Sequence, residues 1–96
     1  MNGNDGTPEP ECYVDEVKAG PGGAMTDEVG VVTGELTVAT STLSAGRASI
    51  LVQYTGAEEW YTLTGSPAPV PPDELFALHT DVLSRIREGG GAEAPR

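Results

Sequence analysis

The sequence predicts an α+β fold: a small antiparallel β-meander of three to four strands packed against one C-terminal amphipathic helix, preceded by a disordered N-terminal arm. Three observations carry this expectation. From Val29 to Thr64, β-branched and apolar residues alternate with polar ones, and glycine-containing turns interrupt the run at short intervals. A proline-rich connector then ends the alternation. Beyond it, apolar residues recur with helical period as far as Ile86.

The chain opens on residues 1–27, which read as a flexible acidic Gly/Pro-rich arm. Residues 1–28 hold seven carboxylates, one lysine and eight Gly or Pro, including Gly20-Pro21-Gly22-Gly23. So charged a stretch with few large apolar side chains cannot repay the entropy of ordering. Cys12, Tyr13, Val14 and Val17 are the exception, with the makings of a short strand. The domain proper is expected over residues 28–88.

Residues 35–42, 47–54 and 59–64 read as strands, and 29–33 as a fourth, joined through Gly34 at a turn or a bulge. The loops set the register. A three-residue loop ending on a left-handed Gly46 puts Leu43 opposite Arg47, Val38 opposite Val52, Thr40 opposite Ile50 and Leu36 opposite Tyr54. A four-residue loop over residues 55–58 puts Val52 opposite Tyr61 and Ile50 opposite Leu63. Both loops place Leu36, Val38, Ile50, Val52, Tyr54, Tyr61 and Leu63 on one face, and a one-residue slip in either would scatter that set.

The connector Ser66-Pro67-Ala68-Pro69-Val70-Pro71-Pro72 is expected to end the sheet, because proline cannot serve a central strand or a helix interior. A helix follows over about residues 73–88, with Asp73 and Glu74 in its first turn, Arg85 and Arg87 in its last and Gly89 just beyond. Leu75, Phe76, Leu78, His79, Val82, Leu83 and Ile86 form its apolar stripe. Residues 89–96, opening on three glycines, read as a flexible tail.

The whole chain has 96 residues with 15 Asp or Glu against 5 Lys or Arg, a formal net charge of −10. That balance excludes direct binding of nucleic acid or of anionic lipid. No apolar run approaches the roughly 20 residues of a membrane-spanning helix. The start, MNGNDGTPEPE, has neither the basic nor the apolar region of a signal peptide, and Cys12 is a single thiol. Both point to the cytoplasm.

Catalytic and metal-binding patterns are absent. One His and one Cys lie far apart, the acidic pairs lack calcium-loop spacing, and no G-x-S-x-G occurs. Gly20-Pro21-Gly22-Gly23 lacks the lysine and the following helix of a phosphate-binding loop. Pro69-Val70-Pro71-Pro72 reads as a rigid spacer. Asp15-Glu16, Asp27-Glu28 and Glu58-Glu59 read as solvated charge. Neither a metal nor a cofactor is expected.

The sheet face opposite the helix carries Ala39, Leu51 and Trp60 beside Thr37, Gln53 and Thr62. Ala39, Leu51, Gln53, Trp60 and Thr62 are therefore candidates for an interface, unless the N-terminal segment covers that face. His79 falls within the helix's apolar stripe and is expected at the edge of the core, hydrogen-bonded to Tyr54 or Tyr61. A shared pocket built from His79, Tyr54 and Tyr61 is the competing arrangement.

The function expected is a non-enzymatic, regulatory or accessory interaction module that binds another protein with a basic surface, or pairs as a homodimer. Two alternatives are a small dimeric enzyme or ligand-binding domain with a shared pocket, and an acidic mimic of nucleic acid that inhibits a DNA-binding protein.

Overall fold

A computed structural model of the chain describes residues 12–44, 46–70 and 74–95. In chain order its elements are β1 (Cys12–Lys18), β2 (Ala24–Thr26), β3 (Gly30–Val32), β4 (Glu35–Thr42), β5 (Arg47–Tyr54), β6 (Tyr61–Thr62), β7 (Ala68–Pro69) and α1 (Leu75–Glu88). The antiparallel sheet runs β1-β4-β5-β6, with β7 also paired to β5, while β2 and β3 form a separate hairpin.

The meander of β4, β5 and β6 follows the register set by its loops. Leu36 pairs with Tyr54, Val38 with Val52, Thr40 with Ile50 and Val52 with Tyr61. Leu43 N–H donates to Arg47 O at 2.7 Å, and Gly46 has φ 71°, the left-handed conformation the short loop requires. Leu36, Val38, Ile50, Val52 and Leu63 are all buried. Tyr54, at the end of its strand, is exposed, and Tyr61 is half-buried.

Helix α1 lays Leu75, Leu78, His79, Val82 and Ile86 on that face, with Leu83 half-buried at its margin and Phe76 exposed. The helix begins at Leu75, so Glu74 precedes its first turn, and Asp73 lies outside the described residues. At the other end Gly89 N–H donates to Arg85 O at 3.0 Å, closing the helix as expected.

Four expectations are corrected. First, the arm expected over residues 1–27 is ordered from residue 12, where the short strand allowed for Cys12, Tyr13, Val14 and Val17 forms. Residues 12–18 form β1, which pairs along its whole length with β4, from Cys12 opposite Ser41 to Lys18 opposite Glu35. Val17 is buried in the core, so alternation within this acidic stretch supplies the apolar anchor that composition conceals. Residues 1–11 of the expected arm lie outside the described residues.

Second, the two glycine-rich segments are held rather than free. Gly90 N–H donates to Pro21 O, Gly91 N–H to Gly22 O and Ala92 N–H to Gly23 O, at 2.7, 3.0 and 2.9 Å. The main chains approach so closely that a Cβ on Gly89 would stand 2.2 Å from Pro21 O, and one on Gly20 2.4 Å from Arg87 O. Glycine serves here for proximity between two backbones. The expected tail continues as Ala92, bridged in parallel to Ala24, and on to the buried Ala94, whose N–H donates to Thr64 O at 2.9 Å.

Third, the connector does not end the sheet. Ala68 and Pro69 add β7 alongside Ala48 and Arg47 of β5, at an edge where a proline without an N–H is tolerated. Fourth, the strand expected over residues 59–64 shortens to Tyr61–Thr62, continued by a bridge from Leu63 to Thr26. The fourth strand, expected over 29–33, is β3 and pairs with β2 rather than with the meander.

Candidate functional site

Alternation in each strand sends Val38, Ile50 and Val52 toward α1 and their neighbours to the opposite, outer face. Pairing aligns those neighbours in rows across the sheet. One row is Val14, Ala39, Leu51 and Thr62, and the next is Cys12, Ser41 and Ser49. Neither row contains a charged side chain, although the chain carries fifteen carboxylates. A third row, Glu16, Thr37 and Gln53, begins the rim.

Four of the five candidate interface residues are partly covered by their neighbours: Ala39, Leu51, Gln53 and Thr62 are half-buried. Trp60 precedes β6 and is 41% exposed. Val14 extends the row at 55% exposure and is not among the candidates, because it falls in the stretch that composition reads as an arm. Its signal in the sequence is faint: Tyr13, Asp15 and Val17 alternate with Val14 and Glu16 over only five residues. Polar side chains on this face bond to one another. Ser41 Oγ donates to Cys12 Sγ at 3.4 Å, and the hydroxyls of Thr37 and Thr55 lie 3.0 Å apart.

At the far side of the row, Asp27 and Glu28 fasten the β2–β3 turn to the meander. Glu28 Oε1 accepts from Thr62 N–H and its Oε2 from Thr62 Oγ1, both at 2.7 Å, while Thr64 Oγ1 donates to Asp27 Oδ1 at 2.8 Å. The Thr62 hydroxyl, and then its N–H, hold the Glu28 carboxyl below the usual glutamate pKa. The pair read as solvated charge is thus a staple. Its partners lie 34 and 37 positions away, beyond any local pattern.

His79 sits on the other side of the sheet, 0% exposed, between two partners at 2.8 Å: Nε2 to Asp15 Oδ2 and Nδ1 to Thr40 Oγ1. A carboxylate only accepts, so Nε2 carries the proton, and in the neutral ring Nδ1 accepts from the threonine hydroxyl. Tyr13 stacks beside the ring at 5.6 Å and meets Phe76 edge-on at 5.3 Å. Both nitrogens are therefore engaged, and the hydrogen bond expected to Tyr54 or Tyr61 is not made. The phenol of Tyr61 instead donates to Glu59 Oε1 at 2.9 Å, and that bond to a carboxylate raises its pKa. Tyr54 lies exposed at the end of β5.

Hydroxyl, imidazole and carboxylate stand in the order of a nucleophile, its base and an orienting acid. Thr40, however, is 0% exposed, enclosed between the sheet and the helix. The array works as a clamp. It joins α1 to β1 and β4 and satisfies polar groups that burial would otherwise leave unpaired. Among the described residues no group of three His, Cys, Asp or Glu is placed to hold a metal ion. None of the described helices is long and apolar enough to cross a membrane.

Neither a family model, nor a curated protein, nor a solved structure matches the chain. The functional reading therefore stands on the arrangement of these residues.

Proposed function

We propose that this protein is a non-enzymatic interaction module that binds another protein through the outer face of its sheet. One observation carries the reading: two adjoining rows without charge, Val14-Ala39-Leu51-Thr62 and Cys12-Ser41-Ser49, bounded by Glu16 on one strand and Glu28 on the far side. Depletion of charge at the centre with a polar rim is the composition of protein interfaces, and tryptophan, here the exposed Trp60 two positions before Thr62, is among the residue types enriched at hot spots. With a net charge of −10, the chain favours a partner bearing basic groups opposite Glu16 and Glu28. The unpaired thiol of Cys12 supports a cytoplasmic setting.

The test is capture from native lysate with wild type and two variants, followed by titration of whatever the wild type retains. Leu51→Asp and Trp60→Ala should each weaken that binding by about 30-fold or more, the effect of a hot-spot residue. Ser84→Ala, on the exposed side of α1, should leave it unchanged. Light scattering on the same samples reads self-association through this face. If neither face variant alters capture or association, the outer face is not the interface.

A further inference from the structure

The hydrogen-bond phase of the sheet shows which backbone groups of β1 are unused. Ala19 N–H donates to Gly34 O at 2.9 Å, and Thr55 N–H to Glu35 O at 3.0 Å on the other flank of β4. In an antiparallel ladder both groups of a residue point to the same side, and successive residues alternate. Residues 13, 15 and 17 of β1 therefore bond to Thr40, Val38 and Leu36, opposite which they stand. The N–H and C=O groups of Cys12, Val14, Glu16 and Lys18 point away from β4, and among the described residues β1 is the last strand of its sheet. They have no partner among the described residues.

Edges of this length are blunted by bulges, prolines, covering elements or charged side chains, and on β1 the charges are Asp15, Glu16 and Lys18. Here it is regular over seven residues and flanked by exposed apolar groups on both sides: Val14 outward, and Phe76 over Tyr13 inward, the latter 56% exposed. We propose that the free edge of β1 is a β-augmentation site for an extended segment of another protein carrying lysine or arginine. The open N–H and C=O groups specify a strand as occupant. Asp15, with its side chain 56% exposed and one oxygen held by His79, and the exposed Glu16 together outweigh the exposed Lys18 and specify its charge.

A second copy of β1 fits this edge less well. Antiparallel self-pairing about Asp15 sets the two Asp15 carboxylates opposite each other. Pairing about Val14 brings the four carboxylates of Asp15 and Glu16 together from chains that each carry −10. The edge shares Val14 and Glu16 with the outer face but engages their main-chain groups, so its test does not depend on that reading.

The test uses the full chain, labelled for amide NMR, and a blocked Lys-Val-Lys-Val-Lys-Val peptide as probe. Saturable shifts and at least tenfold slower exchange are expected at the Val14, Glu16 and Lys18 amides. Replacing the probe's lysines by glutamates should weaken binding at least tenfold. Val14→Pro removes an N–H that no ladder bond uses, so it should abolish binding while the circular dichroism stays that of the wild type. Should that variant misfold, Glu16→Lys serves in its place, with binding weakened several-fold. Trp60→Ala should bind the probe as the wild type does, which separates this edge from the outer face. Shifts that avoid β1 would overturn the proposal. So would protection of these amides in the free chain: protection that rises with concentration would mean a second copy, and concentration-independent protection would mean the chain's own residues.

Discussion

Single residues here do work that their types alone do not announce. His79 is fully buried in a chain with one histidine, and both of its nitrogens are satisfied by residues from two different strands, Asp15 and Thr40. Its place in the apolar stripe of the helix is legible from periodicity. Its partners are not, because 64 and 39 positions separate them from it. Glu28 is comparable: a surface carboxylate that accepts two bonds from Thr62, which stabilise its charged form and depress its pKa. A depressed carboxyl pKa contributes stability that is fully present above the unfolded value, 4.5, and is lost as pH falls through the folded one. Melting temperatures measured between pH 7 and pH 3 should therefore fall more steeply for wild type than for Glu28→Gln. Parallel curves would show that the staple contributes nothing.

Elements differ in how far local sequence determines them. The hairpin of β4 and β5 and the meander into β6 follow from loop length and alternation, since a slip would expose a whole buried set. The glycine segments follow the opposite logic. Composition reads residues 20–23 and 89–91 as flexible, yet they interlock backbone against backbone. Both Gly89 and Gly30 have positive φ, 83° and 75°, but only Gly89 has a neighbour where a side chain would go. Gly30→Ala should therefore cost about 1–2 kcal/mol, the left-handed strain alone. Gly89→Ala should cost about 2–5 kcal/mol, because overpacking adds to that strain. Urea unfolding of the two variants checks this, and equal losses would refute the interlock.

Over the whole molecule, one helix covers one face of the sheet, and the segment after the helix is fastened to the domain. Ala92 and Ala94 are buried, and three main-chain bonds tie residues 92–94 to Gly23, Met25 and Thr64. At about 1 kcal/mol for each bond and about 0.8 for each buried methyl, truncation after Gly91 should remove about 3–5 kcal/mol. Small domains have total stabilities of about 5–15 kcal/mol, so the shortened chain should unfold at a much lower urea concentration. An unchanged midpoint would show that the strap is ornamental. In this two-layer arrangement no described helix covers the other face of the sheet. The row from Val14 to Thr62 lies on that face, and the edge of β1 borders it.

The sequence by itself determined the meander, its register and the buried side of the helix. These depend on period and loop length, which are properties of neighbouring residues. The formal charge of −10, most of it before residue 29, reads as a solvated arm over residues 1–27. Only the tertiary structure decided that β1 closes the sheet, that Asp27 and Glu28 staple a hairpin, and that two glycine runs meet. Each of these joins positions far apart in the chain, whose complementarity exists only once the backbone has brought them together. The candidate site divides in the same way: Ala39, Leu51, Gln53, Trp60 and Thr62 were legible from alternation, whereas Val14 and the carboxylate rim became part of it through strand pairing.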